Sequence, residues 1–406
     1  MIERTITLHV EKILKEWNKI VLVSGPRQVG KTTLAKHMLD SGWQGTYFNW
    51  DNFIDQKRLV LDPYFFRQTD REPSSPALLV LDEIHKYAMW KNWLKGAWDA
   101  DASEWRFLVT GSGRLDLFRR GADSLLGRAV GVLLLPLSVG ELKGAFPSWQ
   151  TFIESLWQAP PPDAGDREHL DGLFRFGGFP EPFVRAQDDF SRVWRQERNK
   201  MLIRQDIRDA TRIREISMLE VLGHLVPERV GSPLSINSLR EDLGVAFETV
   251  RDWLLIFEQF HYLFTVTPWA GTVARALKKE KKAYLHDWAD IASEGPRFEN
   301  MVAAHLFKAV QTWRSTGSAD VGLYYFRDRE RREVDFVLCV EGRPRVLVEA
   351  KSGDFSVSPA LLHARKVLGA EVVVQVVNKS GICRNLGESG SPVWVMSADR
   401  FLAMLP

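Results

Sequence analysis

Short apolar runs separated by stretches of helical period set the pattern of the first third of the chain. Ile20 to Ser24, Thr46 to Asn49, Leu78 to Leu81, Phe107 to Thr110 and Val132 to Leu135 each read as a strand, with helical patterns between them. Strands apolar at nearly every position are covered on both faces, so the alternation predicts a parallel sheet between helices, an α/β core. Trp90, Trp93 and Trp98, with Leu94 and Ala97, repeat at helical spacing. They are assigned to that core rather than to a base-stacking platform.

From about Ser148 to Val226 the pattern turns helical, broken by the loop Ala159 to Gly165 and by Gly177-Gly178-Phe179-Pro180, and predicts a helical lid. Ser235 to Leu243 then makes a short helix that Gly244 can end, and a second helix carries Val250, Trp253, Leu254 and Phe257 on one face: a helix-turn-helix pattern. Tyr262 to Val266 and Tyr284-Leu285 flank an expected wing bearing Lys278-Lys279-Glu280-Lys281-Lys282. Pro296 to Val310 is helical and the remainder strand-rich, so a fourth unit is expected to start near Ser293.

Composition is globular, 45% hydrophobic and 26% charged, enough for real cores. A formal net charge of +2 sets up no overall basic field, so nucleic acid would have to be met by a local patch. Cys339 and Cys383 stand at no metal-ligand spacing and fit a reducing interior, and the nine histidines form no zinc motif. The N-terminal residues lack a signal-peptide core and apolar runs such as Val130 to Leu135 stop far short of a bilayer span. A soluble cytoplasmic protein without a membrane partner is expected. No nucleophile elbow or catalytic Cys/His pattern is present.

The octapeptide Gly25-Pro26-Arg27-Gln28-Val29-Gly30-Lys31-Thr32 follows the first strand directly and opens a helix at Lys31-Thr32-Thr33. This is G-x-x-x-x-G-K-[ST] in the strand-then-helix setting that gives it meaning, where a chance glycine turn would need all three signals to coincide. Gly25 and Gly30 let the loop fold back with its N–H groups toward phosphate oxygens, Lys31 supplies a point charge, and Thr32 supplies a hydroxyl for Mg²⁺. The helix points its positive end at the same phosphates. ATP and Mg²⁺ are therefore the expected cofactors.

Leu78-Leu79-Val80-Leu81 runs into Asp82-Glu83, two carboxylates at the C-terminal edge of a buried parallel strand, where open α/β sheets bind ligands. Asp82 is assigned to Mg²⁺, directly or through water, and Glu83 to polarising the attacking water. The plainer account has the pair capping the next helix. After Arg106 to Thr110 comes Gly111-Ser112-Gly113; Ser112 is assigned to sensing the terminal phosphate, with Thr110 in reserve. Arg128, directly before the last strand, is the candidate to reach a neighbouring subunit's nucleotide, in competition with Arg114, Arg119, Arg120 and an ordinary surface role. His85 reads as structural.

Gly25 to Thr32, Leu81-Asp82-Glu83, Thr110-Gly111-Ser112, Gly127-Arg128 followed by Pro136-Leu137, and Gly177-Gly178-Phe179-Pro180 together resemble the AAA+ ATPases of bacteria and archaea that carry a C-terminal region of restriction-endonuclease-like fold. The resemblance spans nearly the whole chain. It implies a five-stranded core with a helical lid, the Gly-Gly-x-Pro turn near the nucleotide base, and a homo-oligomer, with a hexameric ring as the form to test, in which an arginine acts in trans. Arg185 matches a second sensor by position only. The expected division is a P-loop AAA+ core over residues 1–147, a helical lid over 148–226, a winged helix-turn-helix over 227–292, and an α/β nuclease-like domain over 293–406.

Glu333 to Leu338 and Val346 to Lys351 read as two strands of a hairpin, in which Glu349 and Lys351, two apart, share one face. An odd loop, for instance residues 340 to 344, sets Asp335 opposite Glu349 so that both can hold a divalent metal; an even loop turns Asp335 to the other face. Asp335, Glu349-x-Lys351 and the helix-borne Glu299 resemble the PD-(D/E)XK arrangement, in which carboxylates hold Mg²⁺ and the lysine orients or activates water. Val334 stands where that motif has proline. The competing account is structural: in the odd register Glu333 faces Lys351 as a cross-strand salt bridge on a fold that only binds.

Two functions fit these parts. In one, an oligomeric ATPase remodels, translocates along or unwinds DNA or RNA, with the C-terminal domain gripping or cutting it. In the other, the chain is a nucleotide-gated switch whose C-terminal fold is an inactive interaction surface. The second helix of the helix-turn-helix shows Glu248, Thr249, Arg251 and Asp252, a poor match to phosphates, whereas the wing lysines can contact backbone or simply face solvent.

Overall fold

Strands buried on both faces must lie between two helical layers, and the first sheet is built that way. The computed structural model describes residues 2–111, 125–158, 166–211, 213–270, 280–353, 355–388 and 390–406, and the chain divides into two compact units. The unit formed by Ile6–Leu135 with Gln259–His261 contains β1 (Ile20–Ser24), β2 (Gly45–Asn49), β3 (Ala77–Asp82), β4 (Trp105–Thr110) and β5 (Ala129–Leu133), with helices α1 (Ile6–Lys15), α2 (Lys31–Asp40), α3 (Phe53–Leu61) and α4 (Trp90–Asp101). The strands pair in parallel in the order β2-β3-β4-β1-β5. Every residue of β1 and β3 is buried.

Trp90, Leu94 and Ala97 join Phe66, Trp105 and Phe107 in this unit's core, with Trp93 and Trp98 partly buried against it, as their helical spacing requires. The last strand differs from expectation. It starts at Ala129 rather than Val132, because pairing with β1 sets Ala129 beside Ile20, and it ends at Leu133. Register puts Asn49 beside Asp82, Asp82 beside Thr110, and Val23 beside Thr110. The C-terminal ends of four strands thus meet at one edge, beside the loop that leaves β1.

The other unit holds β6 (Leu263–Pro268), β7 (Lys282–Leu285), β8 (Val321–Arg327), β9 (Glu333–Val340), β10 (Arg343–Lys351), β11 (Val372–Val377), β12 (Cys383–Asn385) and β13 (Val393–Ser397), in the order β12-β13-β11-β10-β9-β8-β6-β7. Because β6 pairs in parallel with β8 as well as antiparallel with β7, one sheet runs across residue 293. The helix Ile236–Leu243 starts at Ser235, whose hydroxyl accepts from Ser238 N–H, and stops at Gly244, which takes the left-handed conformation at φ 65°. The following helix, Phe247–Gln259, buries Val250, Trp253, Leu254 and Phe257. The helix Glu294–Ser315 extends past both ends of Pro296 to Val310 and buries Phe298, Met301, Leu306 and Trp313.

The same unit encloses an ionic node. Glu141 is fully buried and accepts from Arg4 Nε at 3.1 Å, Thr5 N–H at 2.8 Å and Lys308 Nζ at 2.6 Å. Burial opposes its charge, but the two cations and the amide win and hold its carboxyl at about 2. Among the described residues no helix is long and apolar enough to cross a membrane.

Candidate active site

The loop from Gly25 to Gly30 bridges β1 and α2 through backbone that side chains rarely adopt. Gly25 has φ 148° and Gly30 φ 103°. A Cβ on Gly25 would overlap the carbonyl oxygen of Leu134, so only glycine fits there. Pro26 and Val29 are buried, Arg27 is half-buried and Gln28 is exposed with φ 64°. Gly30 caps α2 in the left-handed conformation, with no side-chain cap bond, so the helix's positive end faces the loop. Lys31 is buried and its Nζ is held over the loop by Gly25 O at 3.0 Å and Pro26 O at 2.7 Å. Thr32 and Thr33 stand exposed in the first turn of α2.

Three hydroxyls converge on Asp82 from three different elements. Thr32 donates to Oδ2 at 2.7 Å, Tyr47 to the same oxygen at 2.7 Å, and Thr110 to Oδ1 at 2.5 Å. A hydroxyl and a carboxylate facing each other at the phosphate loop are the sparse protein ligands that suit Mg²⁺ when phosphate and water complete its shell, so the residues fit that ion. Tyr47 was not among the expected site residues. It lies on β2, and its phenol is pushed upward, first by burial and then by Asp82. Thr110, named in reserve as the sensor, spends its hydroxyl on Asp82.

Glu83 follows in the left-handed conformation at φ 57°, ψ 16°, a backbone state costing a non-glycine residue about 1 kcal/mol or more. Its N–H donates to Thr110 O at 2.9 Å. Its carboxylate lies 3.2 Å from Lys86 Nζ and 3.6 Å from His85 Nε2. Burial raises its pKa above the usual glutamate value, with Lys86 and Lys31 pulling the other way. The turn thus presents a largely buried carboxylate one residue beyond Asp82.

Other assigned residues scatter. Ser112, Arg114, Arg119 and Arg120 lie outside the described residues. Arg128 pairs with Asp99 at 2.7 Å and lies over the Trp98 ring. Arg185 pairs with Glu181 at 3.5 Å and stacks on Phe190. In the Gly-Gly turn, Gly178 O accepts from Leu137 N–H at 2.7 Å, and a Cβ at Gly178 would press on Trp288 and Pro136.

The C-terminal hairpin decides its register in two steps. The loop between β9 and β10 is the two-residue turn Glu341-Gly342, both with positive φ, and it pairs Val340 with Arg343. Alone, this even loop would turn Asp335 away from Glu349. A bulge between Pro344 and Val346 shifts the pairing so that Phe336 lies opposite Val348. Asp335 then meets Glu349: Asp335 N–H donates to Glu349 at 3.3 Å and Ala350 N–H to Asp335 at 3.0 Å. Glu299 joins them from its helix, and both glutamates are pushed up by burial and by Asp335.

The expected cross-strand pair of Glu333 with Lys351 does not form. Lys351 is 2.8 Å from Glu349 on its own strand, and Glu333 is 2.6 Å from Lys282. Lys282, assigned to the solvated wing, is fully buried because it begins β7 and faces the sheet's interior; Lys278 and Lys279 lie outside the described residues.

Comparison with known proteins bears on the first domain. Residues 17–143 match the family described as "AAA domain". The chain carries an AAA-type P-loop ATPase domain. Residues 167–289 match a domain of unknown function, DUF8612, and residues 294–387 another, DUF4143. An uncharacterized protein of Mycobacterium tuberculosis (strain ATCC 25618 / H37Rv) is 25% identical over 333 residues, 80% of this chain and 68% of that protein. One from Methanocaldococcus jannaschii is 23% identical over 345 residues, 82% and 74% respectively. Among solved structures, C. elegans PCH-2 aligns over 61% of this chain and 64% of its own with 16% identity and a TM-score of 0.24, too low to add to the fold described above.

Proposed function

We propose that this protein hydrolyses ATP with Mg²⁺ and uses the cycle, as a homo-oligomer, to remodel nucleic acid that the C-terminal domain grips. The observation that carries the hydrolytic part is the convergence of Thr32, Tyr47 and Thr110 on Asp82 beside a strained, desolvated Glu83. ATP phosphates fit the glycine-rich loop, the N-terminal end of α2 and Lys31, while Mg²⁺ fits Thr32 and Asp82. Glu83 orients water for in-line attack. Arg128 or a neighbouring arginine serves the site of an adjacent subunit, which Arg128 can reach only by leaving Asp99.

Support for nucleic acid as the object of the work is the pairing of an ATPase with two consecutive helices and an antiparallel strand pair, the element order of winged-helix modules. One observation favours the switch reading instead. The helix Phe247–Gln259 exposes Glu248 and Asp252 beside Arg251, and Arg251 pairs with Asp252 at 2.9 Å, leaving little positive charge for a phosphate backbone. Steady-state ATP turnover with and without single- and double-stranded DNA and RNA separates the two. Stimulation that disappears in Glu83→Gln supports remodelling; slow turnover indifferent to every nucleic acid supports the switch.

A further inference from the structure

In the C-terminal carboxylate centre a lysine stands between Glu299 and Asp335, two of the three carboxylates expected to hold a metal. Lys282 is 0% exposed. Its Nζ is 3.1 Å from Glu299, 2.6 Å from Glu333 and 3.4 Å from Asp335, with the Tyr325 ring centroid 5.6 Å away. Most of the other contacts are filled as well. Tyr284 hydroxyl donates at 2.7 Å to the same Glu299 oxygen that Lys282 meets, Ala350 N–H donates to the second oxygen of Asp335, and Arg327 lies 3.6 Å from the second oxygen of Glu333. Lys351 and Asp335 N–H share the two oxygens of Glu349. The other Glu299 oxygen lies against Gly231, where φ is 81° and an added Cβ would come within 2.8 Å of it.

A divalent cation needs ionised carboxylates with lone pairs turned toward it. Here both oxygens of Asp335 and of Glu349 and one oxygen of Glu299 face the ammonium groups of Lys282 and Lys351, backbone amides or a phenol, and the Lys282 ammonium has no water to retreat into. Among the described residues no group of three or more His, Cys, Asp or Glu is arranged to hold a metal. Glu299, Asp335 and Glu349 therefore do not fit Mg²⁺ while Lys282 is in place.

We propose that Lys282 is the permanent counter-ion of this centre: a tethered ammonium takes the position of a divalent metal. The domain accordingly has a nuclease-like layout of carboxylates without metal-dependent cutting, and removing the ammonium opens a divalent-cation site. The same ion pairs fasten β7 to β9 and to the helix Glu294–Ser315. This inference stands apart from the ATPase reading, since none of its residues belongs to the phosphate loop or to Asp82-Glu83.

The test is Mn²⁺ titration of the nucleotide-free full chain, with free Mn²⁺ read by electron paramagnetic resonance. Wild type and Asp335→Asn are expected to give the same isotherm. Lys282→Met is expected to gain one site, about tenfold or more tighter than anything in wild type, to melt at higher temperature when Mn²⁺ is added, and to lose both properties in Lys282→Met/Asp335→Asn. Wild-type Mn²⁺ binding that Asp335→Asn or Glu349→Gln abolishes overturns the proposal, and so does a folded Lys282→Met that gains no site. Mg²⁺- or Mn²⁺-dependent nicking of plasmid DNA by wild type that Asp335→Asn abolishes would also overturn it. The wild-type comparison decides the matter even if Lys282→Met does not fold.

Discussion

Replacing Glu83 by Gln removes one negative charge and keeps shape and hydrogen-bonding reach, so it isolates the base from the binding site. The structure sets the expected split. The Glu83 carboxylate faces Lys86 and His85, and it reaches the phosphate loop through its field on Lys31, so its loss leaves that cation freer for phosphate. Nucleotide affinity should stay level or rise. Turnover should fall by about 10²–10⁴-fold, the usual contribution of a positioned general base, which corresponds to roughly 3–5 kcal/mol of barrier. Phosphate release at saturating MgATP measures the second quantity, and binding of a fluorescent ATP analogue measures the first. Because burial raises the Glu83 pKa above 4.5, its ionised, active form is depleted as pH falls, and the acid limb of kcat should lie above that of an ordinary glutamate. A side-chain amide cannot titrate, so the residual rate of Glu83→Gln should lack this limb. Turnover within tenfold of wild type, or affinity lost together with turnover, would refute the assignment.

Tyr47→Phe deletes one of three hydroxyls on Asp82 and should raise the Mg²⁺ concentration needed for half-maximal turnover by about tenfold or more, as loss of an outer partner of a metal ligand usually does; an unchanged Mg²⁺ dependence would make that contact incidental. Glu141→Gln leaves Arg4 and Lys308 buried without their counter-charge and should cost about 3–5 kcal/mol in urea unfolding of the full chain. With the folded pKa of Glu141 near 2, against 4.5 in an unfolded chain, the stability it supplies is complete above pH 4.5 and drains away toward pH 2, an acid sensitivity that the Gln variant should lack.

The phosphate loop and the acidic doublet were legible because each is contiguous: strand, turn and helix signals lie within the same dozen residues from Ile20 on, and Asp82-Glu83 ends an apolar run that could only be a buried strand. Local backbone chemistry is written in local sequence, and glycines at φ 148° and φ 103° are its plainest marks. Tyr47 was not legible, since its role depends on β2 lying next to β3, a neighbour relation set by packing of whole strands. The hairpin shows the same limit from another side. Its two-residue turn alone would separate Asp335 from Glu349, and a bulge at Arg345, which carries no distinctive residue signal, brings them together. Lys282 is the extreme case. In the sequence it closes a run of lysines that reads as solvated, whereas pairing of β7 into the sheet carries it under the surface to carboxylates up to 53 positions away. Side-chain charge is a property of the residue, but whether that charge meets water, phosphate or another side chain is decided by which distant strand becomes its neighbour.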